Sequence, residues 1–262
     1  MPMKNMKIIH LGELILSRED LEKMPDEELA FLATLCFAVD EIGVFERLLV
    51  QTLGSRPKSE ELQNAYAIQQ LTLMRVLNAK VFEAFNILEQ YKRMLKRSKQ
   101  AESLKFLESY DSAWSVLRDS ELYKVAKEIR DKSTNHYLPS ETLKNLPYYP
   151  EVLRPKIYFH GSSGNSFHPI GEELVFIAKF SRELGGYENV QGGLDKWIEW
   201  GIESGRFIKK LQQEYLLWLY KNSFPNWRLR KKTPYLEPEF VGFHKKSVLP
   251  VFLEDQQNES TI

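Results

Sequence analysis

Arg130, Asp131 and His136, in the run EIRDKSTNHY, bring a guanidinium, a carboxylate and an imidazole close together in the chain. An imidazole titrates near neutral pH, so it can take the proton from a ribose 2′-hydroxyl or return one to a leaving 5′-oxygen. A guanidinium meets two phosphate oxygens at once and stabilises the charge that builds on them. The carboxylate beside it can orient the imidazole or the guanidinium. Together these groups suit phosphodiester cleavage without a metal. One imidazole cannot easily act as acid and base at once, so two copies across a dimer twofold would supply an acid, a base and two arginines.

The element that must position them runs from Tyr123 to Ser140. Val125, Ala126 and Ile129 follow helical spacing. Ser133, Thr134 and Asn135 then compete with the backbone for hydrogen bonds, and Leu138-Pro139 stops the helix. His136 is therefore expected on a frayed last turn. On an ideal helix, residues six apart differ by about 240° in azimuth, so Arg130 and His136 converge only through a broken turn or a second subunit. A second Arg-to-His pair, Arg154 to His160, has Pro155 after the arginine and runs through an expected strand, which is the wrong setting.

An arginine followed by a polar residue, then a histidine after a gap of five, resembles the motif of the HEPN superfamily. The resemblance covers roughly residues 25 to 146, with Asp131 standing where Asn is common. It implies a helical bundle that dimerises, with no cofactor and no metal. It also implies a metal-independent endoribonuclease of a defence or toxin–antitoxin system, with RNA as substrate and an antitoxin or regulator as partner. The competing reading is an arginine and a histidine decorating a helix C-terminus, where positive charge is favourable; the chain would then be a non-catalytic helical interaction or assembly protein.

The rest of the chain reads as mainly α: a helical bundle with a small β-hairpin insertion and an extended C-terminal tail. Residues 7–16 suit a short strand or extended lead-in, Ser17 or Pro25 can start a helix, and apolar spacing carries on to Leu53. Ser59 is the expected N-cap of a helix from Glu60 to Lys99, about 60 Å long, with a wide apolar face suited to a partner subunit. It ends in a basic strip, Lys92, Arg93, Lys96, Arg97 and Lys99, which is either a solvated face or a phosphate-binding track. Two helical pieces follow, Ala101–Leu117 and Ser120 to about Asn135, then a short turn at Ser140–Leu146. The organisation expected is a bundle over 1–147, a hairpin with aromatic-rich helices packed on it over 148–223, and a tail over 224–262. The hairpin pairs 156–159 with 166–168 across GSSGN. Phe224, Trp227, Tyr235, Phe240, Phe243 and the run Val248 to Phe252 make the tail too apolar for a freely disordered end.

Composition excludes little. With 36 basic and 36 acidic residues there is no global field, so a nucleic acid must be met by a local patch. The single cysteine, Cys36, lies in an apolar helical run and reads as a structural thiol in a reducing cytoplasm. His10 and Glu13 interrupt the apolar start, so neither a signal peptide nor a membrane span is expected. His160 and His168 flank the hairpin turn without the cysteines or carboxylates that would complete a metal site. The glycines fit no phosphate-binding or nucleophile-elbow motif.

Overall fold

Serine caps and apolar spacing set the helix starts. The computed structural model describes residues 7–53, 57–131, 139–160, 165–222, 228–236 and 249–252. Ser17 and Asp20 form a reciprocal capping box at α1 (Arg18–Glu22). After α2 (Asp26–Leu53), Ser59 Oγ accepts the Leu62 N–H and starts α3 (Glu60–Ser98). The left-handed conformation of Lys99, at φ 59°, ends α3.

Contacts between α2 and α3 run in opposite senses along the two helices: Thr52 with Gln70, Glu41 with Lys80, Phe31 with Tyr91. The hairpin is closed by the long α10 (Val190–Asn222), which meets Glu46 through Lys209 and Glu28 through Tyr215. Its Gly201 and Gly205 allow close approach: a Cβ at Gly201 would lie 2.3 Å from Asn78 Oδ1, and one at Gly205 3.1 Å from Ile42. Trp197, Trp200 and Tyr215 of α10 are buried in the same core as Leu35, Ile42, Val81 and Phe85. The wide apolar face of α3 is therefore used inside the chain. Phe82 and Phe85 meet Tyr123, and Leu77, Val81, Ala84 and Leu88 are fully covered.

The helical stretch expected over 101–117 divides into α4 (Ala101–Glu108) and α5 (Asp111–Arg118). At the break, Ser109 Oγ donates to the Phe106 carbonyl at 2.6 Å and competes with the helix ladder. The new direction lays Trp114 parallel to Phe85, centroids 6.4 Å apart. Ser120 then caps α6 (Glu121–Ile129) through the Tyr123 N–H.

Pro139 is the first residue of α7 (Pro139–Asn145), where its preset φ and missing N–H are tolerated. A second helical layer follows: α8 (Pro169–Gly171), a π-helical segment over Glu172–Ile177, and α9 (Ala178–Glu183). The expected hairpin is reduced to one antiparallel bridge, Tyr158 with Phe167, whose rings stack at 4.5 Å. Residues 161–164 of its turn lie outside the described residues.

The ladders form elsewhere. β1 (Lys7–Ile8) pairs antiparallel with β4 (Tyr235–Leu236), and β2 (Leu11–Leu14) with β3 (Leu229–Lys232) in the register Leu11 to Lys232. The described part of the tail thus lies extended along the N-terminal strands. Farther on, the Leu249 and Pro250 carbonyls accept from Tyr66 and Gln69 of α3, and Phe252 packs edge-on to Phe167. The calls on Phe224, Trp227, Phe240, Phe243, Val248 and the last residues lie outside the described residues. Among the described residues no helix is long and apolar enough to cross a membrane.

Where α2, α3, α4 and α10 meet, Glu28 is only 5% exposed. Its Oε1 accepts from Tyr215 Oη at 2.7 Å and Ser103 Oγ at 3.3 Å. The Tyr215 proton is given to Glu28, so Tyr91 donates to Tyr215 across 3.0 Å. Removing the shorter bond with Tyr215→Phe should cost about 1–3 kcal/mol, read from urea denaturation. Burial is the main cause that pushes the Tyr91 hydroxyl from the ordinary 10.0 up to about 12, and the same cause raises Tyr215. The neutral tyrosines are the form the fold favours, so their stabilisation is complete below pH 10 and is lost as pH rises toward 12. In urea titrations across that window, Tyr91→Phe should lose less stability than the parent.

Candidate functional site

Arg130 and Asp131 follow α6 directly; Arg130 keeps helical angles, φ −57° and ψ −49°, and its N–H donates to the Ala126 and Lys127 carbonyls. Val125, Ala126 and Ile129 bury one face of α6 against the core, which leaves Arg130 to run back along α3. Its guanidinium carbon sits 4.7 Å above the centre of the Phe82 ring. Nε lies 3.0 Å from Glu83 Oε1, and Nη1 lies 3.5 Å from Asp131 Oδ1. The Glu83 contact is an ion pair without hydrogen-bond alignment, since the buried Nε has no acceptor in line. The side chain is 24% exposed, so part of the fork reaches the surface. The structure thus brings Arg130 and Asp131 together, with Asp131 turned to the arginine. His136 lies outside the described residues.

A group that sequence reasoning passed over holds the end of α6. Lys179 is 1% exposed, and its Nζ donates to the Glu128 carbonyl at 2.7 Å. An ammonium at a helix C-terminus meets both orphan carbonyls and the negative end of the dipole. The available signal was a lysine inside the apolar run VFIAKF.

The basic strip is not uniform. Lys92 is 14% exposed, ion-paired with Asp111, and 5.1 Å above the Trp114 ring. It is therefore packing for α5, where the sequence suggests either a solvated face or a phosphate-binding track. Arg93, Lys96, Arg97 and Lys99 are exposed on the last turns of α3, with Arg93 Nε bonded to the Glu89 carbonyl. Lys99, left-handed, points away from regular helical geometry.

A second polar constellation was not foreseen. Arg75 of α3 grips both carboxylate oxygens of Glu172, with Nη2 to Oε1 at 2.7 Å, and lies 4.9 Å above Phe176. Glu172 lines two cavities, one of about 370 Å³ and one of about 540 Å³ that also includes Arg75, Thr72 and His168. Arg75 and Glu172 are 97 positions apart, so no spacing rule could pair them. Among the described residues no cluster of His, Cys, Asp and Glu could hold a metal ion. Cys36 is half-buried, and its sulfur accepts from Gln212 at 3.2 Å; burial is the leading cause that raises its thiol pKa, which disfavours the reactive thiolate.

The two roles within the strip separate by substitution. Lys92→Ala should lower stability by about 1–2 kcal/mol, through the lost cation–π contact and buried stem. Lys96→Ala should stay within about 0.5 kcal/mol of the parent in the same urea titration. Compared with known proteins, the chain matches no family model, no curated protein and no solved structure.

Proposed function

We propose that this chain is a metal-independent endoribonuclease of HEPN type, acting in the cytoplasm as a homodimer in a defence or toxin–antitoxin role. The observation that carries the reading is the joined pair at the end of α6: Arg130 with Asp131 at 3.5 Å, its guanidinium held by Phe82 and partly exposed. A guanidinium oriented in advance loses less freedom on meeting a phosphate than one on a free stem. His136 supplies the proton transfers, Arg130 stabilises phosphoryl charge, and Asp131 orients Arg130. Arg93, Lys96, Arg97 and Lys99 offer exposed charge to an RNA backbone. With the face of α3 occupied internally, the dimer surface is the outer face of α2, where Phe37 is 66% exposed and Val44, two turns on, is also exposed. An antitoxin or other regulator would cover the Arg130 end.

The second reading, a non-catalytic assembly protein, is favoured by one fact: carboxylates already flank Arg130 on two sides, Glu83 and Asp131. Purified protein incubated with RNA in EDTA distinguishes the two. Cleavage should survive EDTA, and His136→Ala should reduce it on the order of 10² to 10⁴-fold. Arg130→Ala should cost about 10² to 10³ in rate and roughly 1 kcal/mol in stability, because the partly exposed Glu83 can regain water. Lys99→Ala should only weaken RNA binding and reduce its salt dependence. Sedimentation should give a dimer at micromolar concentration. A His136→Ala protein as fast as the parent, or activity that needs a divalent metal, replaces the enzyme with the assembly protein.

A further inference from the structure

Between the first half of α3, the π-helical segment and the first turns of α10 lies the cavity of about 370 Å³. That volume is at the small end of the range that takes organic ligands, about 300–1,000 Å³. Most of its wall is apolar, with Leu71, Met74, Ile177 and Ile198 among the contributors. Its polar groups are carboxamides and three carboxylates, Glu172, Glu173 and Asp195; among the described residues no lysine, arginine or histidine lines it.

The three carboxylates are not equivalent. Arg75 holds Glu172, and that guanidinium lines the neighbouring cavity rather than this one. Glu173 Oε2 accepts from the Tyr149 hydroxyl at 2.9 Å, and Asp195 Oδ1 from the Gln191 carboxamide at 3.2 Å. Both donors are neutral. Among the described residues no ion pair joins Glu173 or Asp195 to a cation. Glu173 is half-buried and Asp195 exposed, and a carboxylate at an apolar wall gains from a positive charge brought to it.

The backbone supports this wall in an unusual way. In π winding, hydrogen bonds join residues five apart, which stacks Ile177 above Glu172 and leaves Glu173 beside them on the same cavity. An α-helix would instead stack Ile177 on Glu173. The apolar and acidic parts of the wall thus come from one short segment, and π turns occur mostly as local insertions, frequently at functional sites.

We infer that this cavity binds a small organic cation, a primary amine on an apolar body, with the body against the aliphatic wall and the ammonium between Glu173 and Asp195. An anion of the same shape is rejected by the same carboxylates, and a neutral isostere gains only the apolar contact. The inference involves none of Arg130, Asp131 and His136 and does not depend on RNA cleavage.

Hexylamine, hexanol and hexanoate serve as isosteric probes on the full chain, followed by thermal unfolding and titration calorimetry. Hexylamine should raise Tm saturably, as any ligand of the folded state does, while hexanoate should have no effect. Glu173→Gln with Asp195→Asn, which keeps side-chain size, should weaken hexylamine binding roughly tenfold or more. Hexanol binding as tightly as hexylamine would overturn the inference, as would an undiminished affinity in the double variant or the absence of a saturable response. Should the double variant fail to fold, the comparison of hexylamine with hexanol and hexanoate on the parent decides alone.

Discussion

A buried carboxylate, which no cation meets among the described residues, sets the terms for the bundle. Glu28 sits in the first turn of α2, where free N–H groups and the positive end of the helix dipole offset its charge. That offset is partial, so hydrogen bonds from Tyr215 and Ser103 must complete it; leaving a buried acceptor unmade costs more than the bond itself contributes. These donors come from α10 and α4, and Tyr91 of α3 extends the chain. Phe31, one turn beyond Glu28, stacks on Tyr91 with centroids 3.7 Å apart and closes the group from α2. Four helices therefore have their rotation set at one point, since a turn of any of them would withdraw a donor.

From that point the placement passes along α10. Gly205 and Gly201 hold its backbone against Ile42 and Asn78, and Trp200 Nε1 donates to the Leu117 carbonyl at 3.0 Å. Trp200 also meets Tyr123 edge to face, so α6 and the turn bearing Arg130 are seated on a core whose geometry is set elsewhere. Lys179 secures the same turn from the second helical layer. Arg130, the described arginine of the candidate site, is thus a core-supported group that remains partly exposed.

Part of the chain's balanced charge is paired at short range between elements. Arg75 with Glu172, Lys92 with Asp111 and Lys209 with Glu46 join different elements, and the first two cations also rest on aromatic faces. Such cations are poor phosphate ligands, because leaving a buried partner exposes its carboxylate. Exposed cations lie at the end of α3 and along β3, among them Arg97 and Arg230. The π-wound stretch at Glu172–Ile177 carries charged residues that line a cavity with a candidate role.

Features governed by neighbours along the chain were legible in the sequence. Ser17 as a helix start, Ser59 as a cap, the extents of α2 and α3, the aromatic packing face of α10 and the mainly α class all follow from propensity, capping and periodicity, which act within a few residues. Ser109 was local too, yet the break it marks needed Trp114 to find Phe85. The arginine and aspartate of the motif were visible as types at a spacing, but that Phe82 and Glu83 would hold the arginine was not. The sequence by itself determined where helices begin, which faces are apolar and which residue types are present for chemistry. Only the tertiary structure decided that the 229–236 strands would pair with 7–14, that Lys92 would be buried beside Asp111, and that Arg75 would grip Glu172, which lines two cavities. Those outcomes depend on helix rotation and crossing, which are set by side chains tens to hundreds of positions apart and leave no periodic trace in either segment.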